Sequence, residues 1–185
     1  MTYCDRQLNT LYKACSLNAS PKNMNAQEII LRPAQPTDAR DLSIIHIAAI
    51  KALPATFYSP EELLAWRNYR DRPDNGNIFK LIQADNFWVA AIDNVITGFA
   101  SYIDDELIAL YVHPQYQGRG IGRNLVEHFC DRAREQGIDR VMTTASLYAE
   151  GFYSRLGFTA IARAPHYLSK GIIVPVMKMS KKLMA

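Results

Sequence analysis

A chain of 185 residues supports one domain with a sizeable core and is too short for two independent ones. Hydrophobic residues at 49% and charged residues at 21% are ordinary for a soluble fold and exclude disordered or fibrous classes. A net charge of +3 without a dense Lys/Arg stripe argues against a nucleic-acid partner and leaves room for an anionic small ligand.

Cys4, Cys15 and Cys130 form no Cys-x-x-Cys pair and cannot all be bridged, which predicts a reducing, cytoplasmic setting. No apolar run approaches the roughly 18 residues of a membrane helix, and no signal-peptide core opens the chain, so no membrane partner is expected.

Residues 1–27 show no sustained period and read as a poorly ordered extension of a domain over 28–185, with Met24 as an alternative start. The first strand falls at 28–32. Pro36-Thr37 introduces a helix over 38–50, with Leu42, Ile45, Ile47, Ala49 and Ile50 at helical spacing. A second helix starts with Ser59 as cap, Pro60 at its first position and Glu61-Glu62 at the positive dipole end, and runs to about 69. After a turn at 74–77, three strands follow at 87–92, 95–103 and 106–112, the first two joined by an Asp93-Asn94 hairpin turn. Ile121, Leu125, Val126, Phe129, Cys130 and Ala133 share one face of a helix that starts at Gly120 and ends at Gly137. A strand at 140–145, a short helix at 149–156, a strand from 158 and a last strand around 172–179 complete the order βααβββαβαββ. Pro175 requires an edge position or a bulge in the last strand.

The stretch 106–112 is nearly continuously apolar, as a buried central strand should be, and Pro114 stops it. Gln117-Gly118-Arg119-Gly120-Ile121-Gly122 then opens a helix whose unpaired N–H groups face outward from a positive dipole end with no Cβ atoms in the way, a cradle suited to phosphate. Glycines alone fit a tight connection as well. A Walker A loop needs Lys followed by Ser or Thr where Arg123-Asn124 stands, and the dinucleotide fingerprint needs a glycine at Arg123, so a nucleotide-phosphate binder is disfavoured.

What remains, Gln117-x-x-Gly120-x-Gly122 after a strand ending Leu-Tyr-Val-His-Pro, resembles the coenzyme A pyrophosphate loop of the GNAT superfamily of N-acyltransferases. A second match follows at the spacing of that superfamily, in the run from Ala145 to Phe158 with its Tyr153-x-x-x-Gly157-Phe158 ending. The resemblance covers about 28–180 and implies a central mixed, mostly antiparallel twisted sheet flanked by helices, an α/β (α+β) fold. The runs 58–66 and 145–153 resemble the bacterial YafP-like branch.

The resemblance implies acetyl-CoA as co-substrate, held at Gln117, Gly118, Arg119, Gly120, Ile121, Gly122 and Arg123. Its pantetheine arm would pair with the backbone of Leu110, Tyr111 and Val112, where a main-chain N–H stabilises the oxyanion. An alkyl amine with a pKa near 10.4 is less than about one part in a thousand neutral at pH 7, so a base is needed. Glu106, six residues before Val112, matches the position of the family's catalytic glutamate; a solvated turn with Asp104-Asp105 is the plainer reading. Tyr153 matches the residue that protonates or stabilises the departing thiolate, though a core tyrosine would show the same pattern. Tyr148 is a competing phenol that lacks the spacing to Gly157-Phe158. Ser146 stands where many family members carry an Asn touching the coenzyme, and its reach is shorter.

Tyr58, Trp66 and His166 would line the acceptor pocket or pack the core. Cys130 reads as core rather than nucleophile, which disfavours a ping-pong route. His46, His113, His128 and His166 are too dispersed for zinc, so no metal is assigned. The expected activity is acetyl transfer to a primary amine, on a small molecule or a protein, by direct attack in a ternary complex of a monomer or homodimer. The alternative is a non-catalytic acyl-CoA-binding module.

Overall fold

The computed structural model describes residues 28–68, 87–168 and 172–183. The extension at 1–27 and the turn at 74–77 lie outside these residues. The described elements follow the expected order: β1 (Ile30–Pro33), α1 (Ala39–Lys51), α2 (Pro60–Asn68), β2 (Phe87–Ile92), β3 (Val95–Ile103), β4 (Glu106–Val112), α3 (Ile121–Glu135), β5 (Arg140–Ser146), α4 (Glu150–Arg155), β6 (Thr159–Tyr167) and β7 (Ile173–Lys182). The strands form one sheet in the order β1-β2-β3-β4-β5-β7-β6, antiparallel throughout except where β4 meets β5. No helix of the described residues is long and apolar enough to cross a membrane.

Local chemistry fixes the element ends. Asp93 and Asn94 both take positive φ, 50° and 63°, as a two-residue hairpin turn of right-handed strands requires. Ser59 and Glu62 form a capping box on α2, with Glu62 N–H donating to Ser59 Oγ (3.2 Å) and Ser59 N–H to Glu62 Oε2 (2.7 Å). Gly137, at φ +75°, ends α3 in a Schellman motif: its N–H donates to the Arg134 carbonyl and that of Ile138 to the Ala133 carbonyl. The buried Asp38 ties β1 to α1. Burial alone would raise its carboxyl, but Arg32, bonded at 2.7 and 3.0 Å, and the Gln35 N–H bring it below the usual carboxylate range.

Two of the three buried clusters among the described residues sandwich the sheet. On one face α3 buries Leu125, Phe129 and Cys130 against Ala100, Tyr102 and Leu107; on the other α1 buries Leu42 and Ile45 against Val89, Phe99 and Ala109. Leu107 and Ala109, two residues apart on one strand, reach opposite faces because the register with β3 slips: Leu107 pairs with Tyr102 and Ala109 with Ser101, leaving Ile108 as the extra residue of a bulge. Cys130 is core, as expected, and burial pushes its thiol up.

Pro175 departs from a simple edge. It lies in β7, an interior strand of the sheet, opposite Pro165 of β6, one residue beyond the last β5 partner, Ser146↔Val176. The ladder slip in this hairpin is at Ala160/Ala162, so Pro175 is tolerated because β7 has outrun β5 and its nitrogen faces no ladder on that side.

Candidate active site

Strands β4 and β5 share two rungs, Glu106↔Met142 and Leu107↔Thr143, and then part. The gap is a cleft of 760 Å³, walled by Leu110, Tyr111 and Val112 of β4, by Thr143 to Ser146 of β5, by the glycine loop and by α4. Ala49, Leu53 and Trp66 line its other end.

The loop adopts the shape that its glycines permit. Gly118 and Gly120 have φ of +78° and +84°, and Gly120 is the N-cap of α3. The N–H groups of Ile121, Gly122 and Arg123 therefore have no intrahelical acceptor and sit at the positive end of the helix dipole. Gln117 Nε2 donates back to the Val112 carbonyl (3.3 Å), and Asn124 Nδ2 to the Gly120 carbonyl (3.0 Å), so side chains brace the loop on both sides. A Cβ on Gly122 would sit 3.1 Å from the Phe152 ring; the bare backbone lets α4 pack onto α3. Arg119 lies outside the cleft walls, its guanidinium 5.1 Å from the centre of the Tyr116 ring.

Tyr153 closes the cleft between its walls. Gly157, at φ +85°, ends α4 in a second Schellman motif: Gly157 N–H donates to the Ser154 carbonyl and Phe158 N–H to that of Tyr153. The same motif brings Phe158 against Tyr153, ring centroids 5.4 Å apart, so the Tyr-x-x-x-Gly-Phe spacing is the stereochemistry of a helix end. Tyr153 is 5% exposed. Burial pushes its phenol well up; a hydrogen bond with the Thr143 hydroxyl opposes the shift, and the nearby Tyr111 phenol adds to it.

Ser146 lines the cleft, but its Oγ accepts from the Ala149 N–H (3.2 Å) and caps the turn that leads into α4. Its oxygen is thereby turned to the backbone. Glu106 is exposed and outside the cleft walls, at the closed end where the two strands still pair. Because Leu107 packs toward α3, alternation places Glu106 on the α1 side of the sheet.

The three acceptor-end aromatics divide. Trp66 is on the cleft wall and His166 is not, though their rings are 6.3 Å apart. Tyr58 is buried structure: its hydroxyl accepts from the Leu147 N–H (2.8 Å) and donates to the Pro175 carbonyl (3.2 Å). Among the described residues no group of three or more His, Cys, Asp or Glu could hold a metal. Thr143, Phe152 and Arg155 also line the cleft and were not singled out from the sequence; Thr143 carried a signal, a hydroxyl in the alternating buried row Val141, Thr143, Ala145.

A model of the acetyltransferase (GNAT) domain matches residues 55–182. The chain belongs to the GNAT acetyltransferase family. The match takes in the glycine loop, Tyr153 and both strand walls of the cleft, and leaves out Ala49 and Leu53 at its other end. Among curated relatives, the uncharacterized N-acetyltransferase YafP of Escherichia coli is 29% identical over 133 residues, 72% of this chain and 83% of that protein. Among solved structures, a GCN5-related N-acetyltransferase from Rhodopseudomonas palustris is 30% identical with a TM-score of 0.78, covering 88% of this GNAT chain and all of the other. The YncA structure from Salmonella typhimurium, which holds acetyl-CoA, is 25% identical with a TM-score of 0.62, covering 85% and 95%.

Proposed function

We propose that the protein is a cytoplasmic enzyme that transfers the acetyl group of acetyl-CoA to a primary amine by direct attack, in a domain spanning 28–185. The observation that supports this best is the continuity of the cleft. One wall begins at the open amides of the Gly118–Gly122 cradle, follows the edge of β4 freed by the splay, and ends beside the buried phenol of Tyr153. A pyrophosphate on the cradle would place a pantetheine arm along Leu110 to Val112, with its thioester near Tyr153.

The amine nitrogen attacks the thioester carbonyl, forming the N–C bond, and the C–S bond breaks to release the thiolate. Glu106 takes the amine proton. Since it lies outside the cleft walls, on the α1 side, a water carries the proton to it. A free phenol already gives its proton to a thiolate uphill by about 2 kcal/mol. Burial makes the transfer from Tyr153 harder still, so Tyr153 stabilises the departing sulfur by donating a hydrogen bond and keeps its proton. The acceptor, a small molecule or a protein amino group, enters at the end lined by Leu53 and Trp66.

Initial velocities measured over a grid of both substrates test the order of events. Intersecting lines, with turnover in Glu106→Gln lowered and its alkaline dependence shifted, support direct attack. Parallel lines would mean an acetyl-enzyme, for which the buried Cys130 is poorly placed.

A further inference from the structure

The two ends of the cleft differ in chemistry. Among the described residues of its lining the charged side chains are Arg123 and Arg155, and no Asp or Glu stands with them. Both belong to the glycine-loop end: Arg123 follows the loop directly, and Arg155 Nη1 lies 3.7 Å from where a Cβ of Gly151 would stand, beside the Phe152 that packs on Gly122. The opposite end is apolar. Ala49 and Leu53, from the end of α1 and the residues after it, and Trp66 of α2 line it, and Ile108 and Ala109 carry the same surface into the β4 wall. Leu53 and Trp66 are half-buried against the cluster around Tyr58, which meets the Trp66 ring edge-on at 5.2 Å, so this end is built before any ligand arrives. Ile108 and Tyr148 of the cleft wall are nevertheless 46% and 47% exposed, and the exposed Phe57 extends that surface from Tyr148 at 5.8 Å. Apolar surface left open in a groove marks a site for an apolar ligand. Two hydroxyls on the β5 wall are engaged with backbone: Thr143 Oγ1 donates to the Leu107 carbonyl (3.0 Å), and Ser146 Oγ accepts from the Ala149 N–H (3.2 Å).

We propose that the acceptor is a small primary monoamine on an apolar body, an alkyl or arylalkyl amine, and not a polyamine or an aminosugar. A polyamine keeps further ammonium groups after the reacting nitrogen loses its proton; in this cleft they would be desolvated without a carboxylate, near side chains that are also cationic. An aminosugar would bring hydroxyls to walls whose own hydroxyls are engaged, and a buried hydroxyl without a partner weakens binding. A protein lysine has an apolar stem, but beyond it comes a polar peptide backbone that would have to lie on the same apolar surface. A small apolar monoamine meets none of these penalties, and an apolar wall around its nitrogen favours the neutral form that attacks. The inference rests on the transferase reading above, because the amine is an acceptor only if acetyl transfer occurs.

Steady-state kcat/KM with the full chain and acetyl-CoA tests it. Along the n-alkylamines from methylamine to hexylamine the value should rise about fourfold per methylene, the worth of one buried CH2. Turnover of 2-phenylethylamine should exceed that of spermidine, glucosamine and a capped lysine peptide about 100-fold. Trp66→Ala should lower the value for 2-phenylethylamine about tenfold more than that for methylamine. Ile108→Glu, at an exposed position, should cut the preference for 2-phenylethylamine over spermidine about tenfold. A flat alkyl series, or spermidine, glucosamine or the lysine peptide matching 2-phenylethylamine, overturns the proposal, as does an equal loss for both amines in Trp66→Ala. If Trp66→Ala does not fold, an unchanged preference in Ile108→Glu overturns it instead. A wild type that acetylates no amine refutes the transferase reading itself, and the ligand class is then read by calorimetric titration of the protein loaded with coenzyme A: tighter binding of 2-phenylethylamine than of spermidine upholds the apolar class, and equal or weaker binding overturns it.

Discussion

Removing the Tyr58 hydroxyl tests how the end of the cleft lined by Trp66 is held to the end beside α4. That oxygen joins three elements far apart in the chain: it sits just before α2, accepts from Leu147 at the turn into α4, and donates to Pro175 in β7. Tyr58→Phe keeps the ring, which is 3% exposed and packs edge-on against Trp66 at 5.2 Å, so apolar burial hardly changes. What is lost is one hydrogen bond in each direction, leaving a partly buried amide and a carbonyl without their partner. An unsatisfied buried polar group costs about 1–3 kcal/mol, so about 2 kcal/mol is expected for the substitution. For a domain of this size that lowers the thermal midpoint by about 4–8 °C. Because Trp66 of α2 lines the cleft, the KM for the amine should rise more than that for acetyl-CoA. Urea unfolding with an unchanged m-value gives the free energy directly. A loss below about 0.5 kcal/mol, within the range of an ordinary surface substitution, would refute the view that Tyr58 couples α2 to β7.

Gly120→Ala should destabilise the fold by about 1–2 kcal/mol, since φ is +84° while the nearest atom to the added Cβ is 3.7 Å away, making the cost conformational. It should also weaken acetyl-CoA binding, read by calorimetric titration. Gly98→Ala would bring a Cβ to 2.9 Å from the Tyr111 carbonyl oxygen and 3.0 Å from Ile121, forcing β3 away from β4; a loss of about 1–3 kcal/mol in urea unfolding is expected. His128, packed against Trp88 with the rings tilted at 47°, is held below the ordinary histidine range first by burial and then by Arg132, against the opposing pull of Asp131 and Glu135. The fold therefore favours the neutral ring, and this contribution is complete above about pH 6.5 and is lost as pH falls below it. Stability measured from pH 7.5 to 5 should fall less steeply in His128→Leu than in the wild type.

Much of the site was legible in the chain because its motifs are backbone stereochemistry. The glycines at 118, 120 and 157 mark left-handed positions that few other residues adopt, and the interval from Tyr153 to Phe158 is the spacing of a Schellman cap. Capping boxes and hairpin turns are equally local, which is why strands β2, β3 and β4 fall where their apolar runs and turns predict. The less legible features depend on register. The bulge at Ile108 decides which face Glu106 takes, and no residue type announces it. The use of Tyr58 as a buttress depends on Leu147 and Pro175, 89 and 117 residues away. Ser146 looks from its position like a coenzyme contact, whereas its oxygen caps the next turn.

Amine-dependent release of free coenzyme A thiol from acetyl-CoA, followed by mass spectrometry of the products over a panel of primary amines, tests acetyl transfer most directly. One acetylated amine for each thiol released, with no release in the absence of amine, is the predicted result. Release that is independent of amine would mark a hydrolase, and a protein that binds acetyl-CoA yet acetylates no amine in the panel would contradict the transferase reading in favour of a binding module.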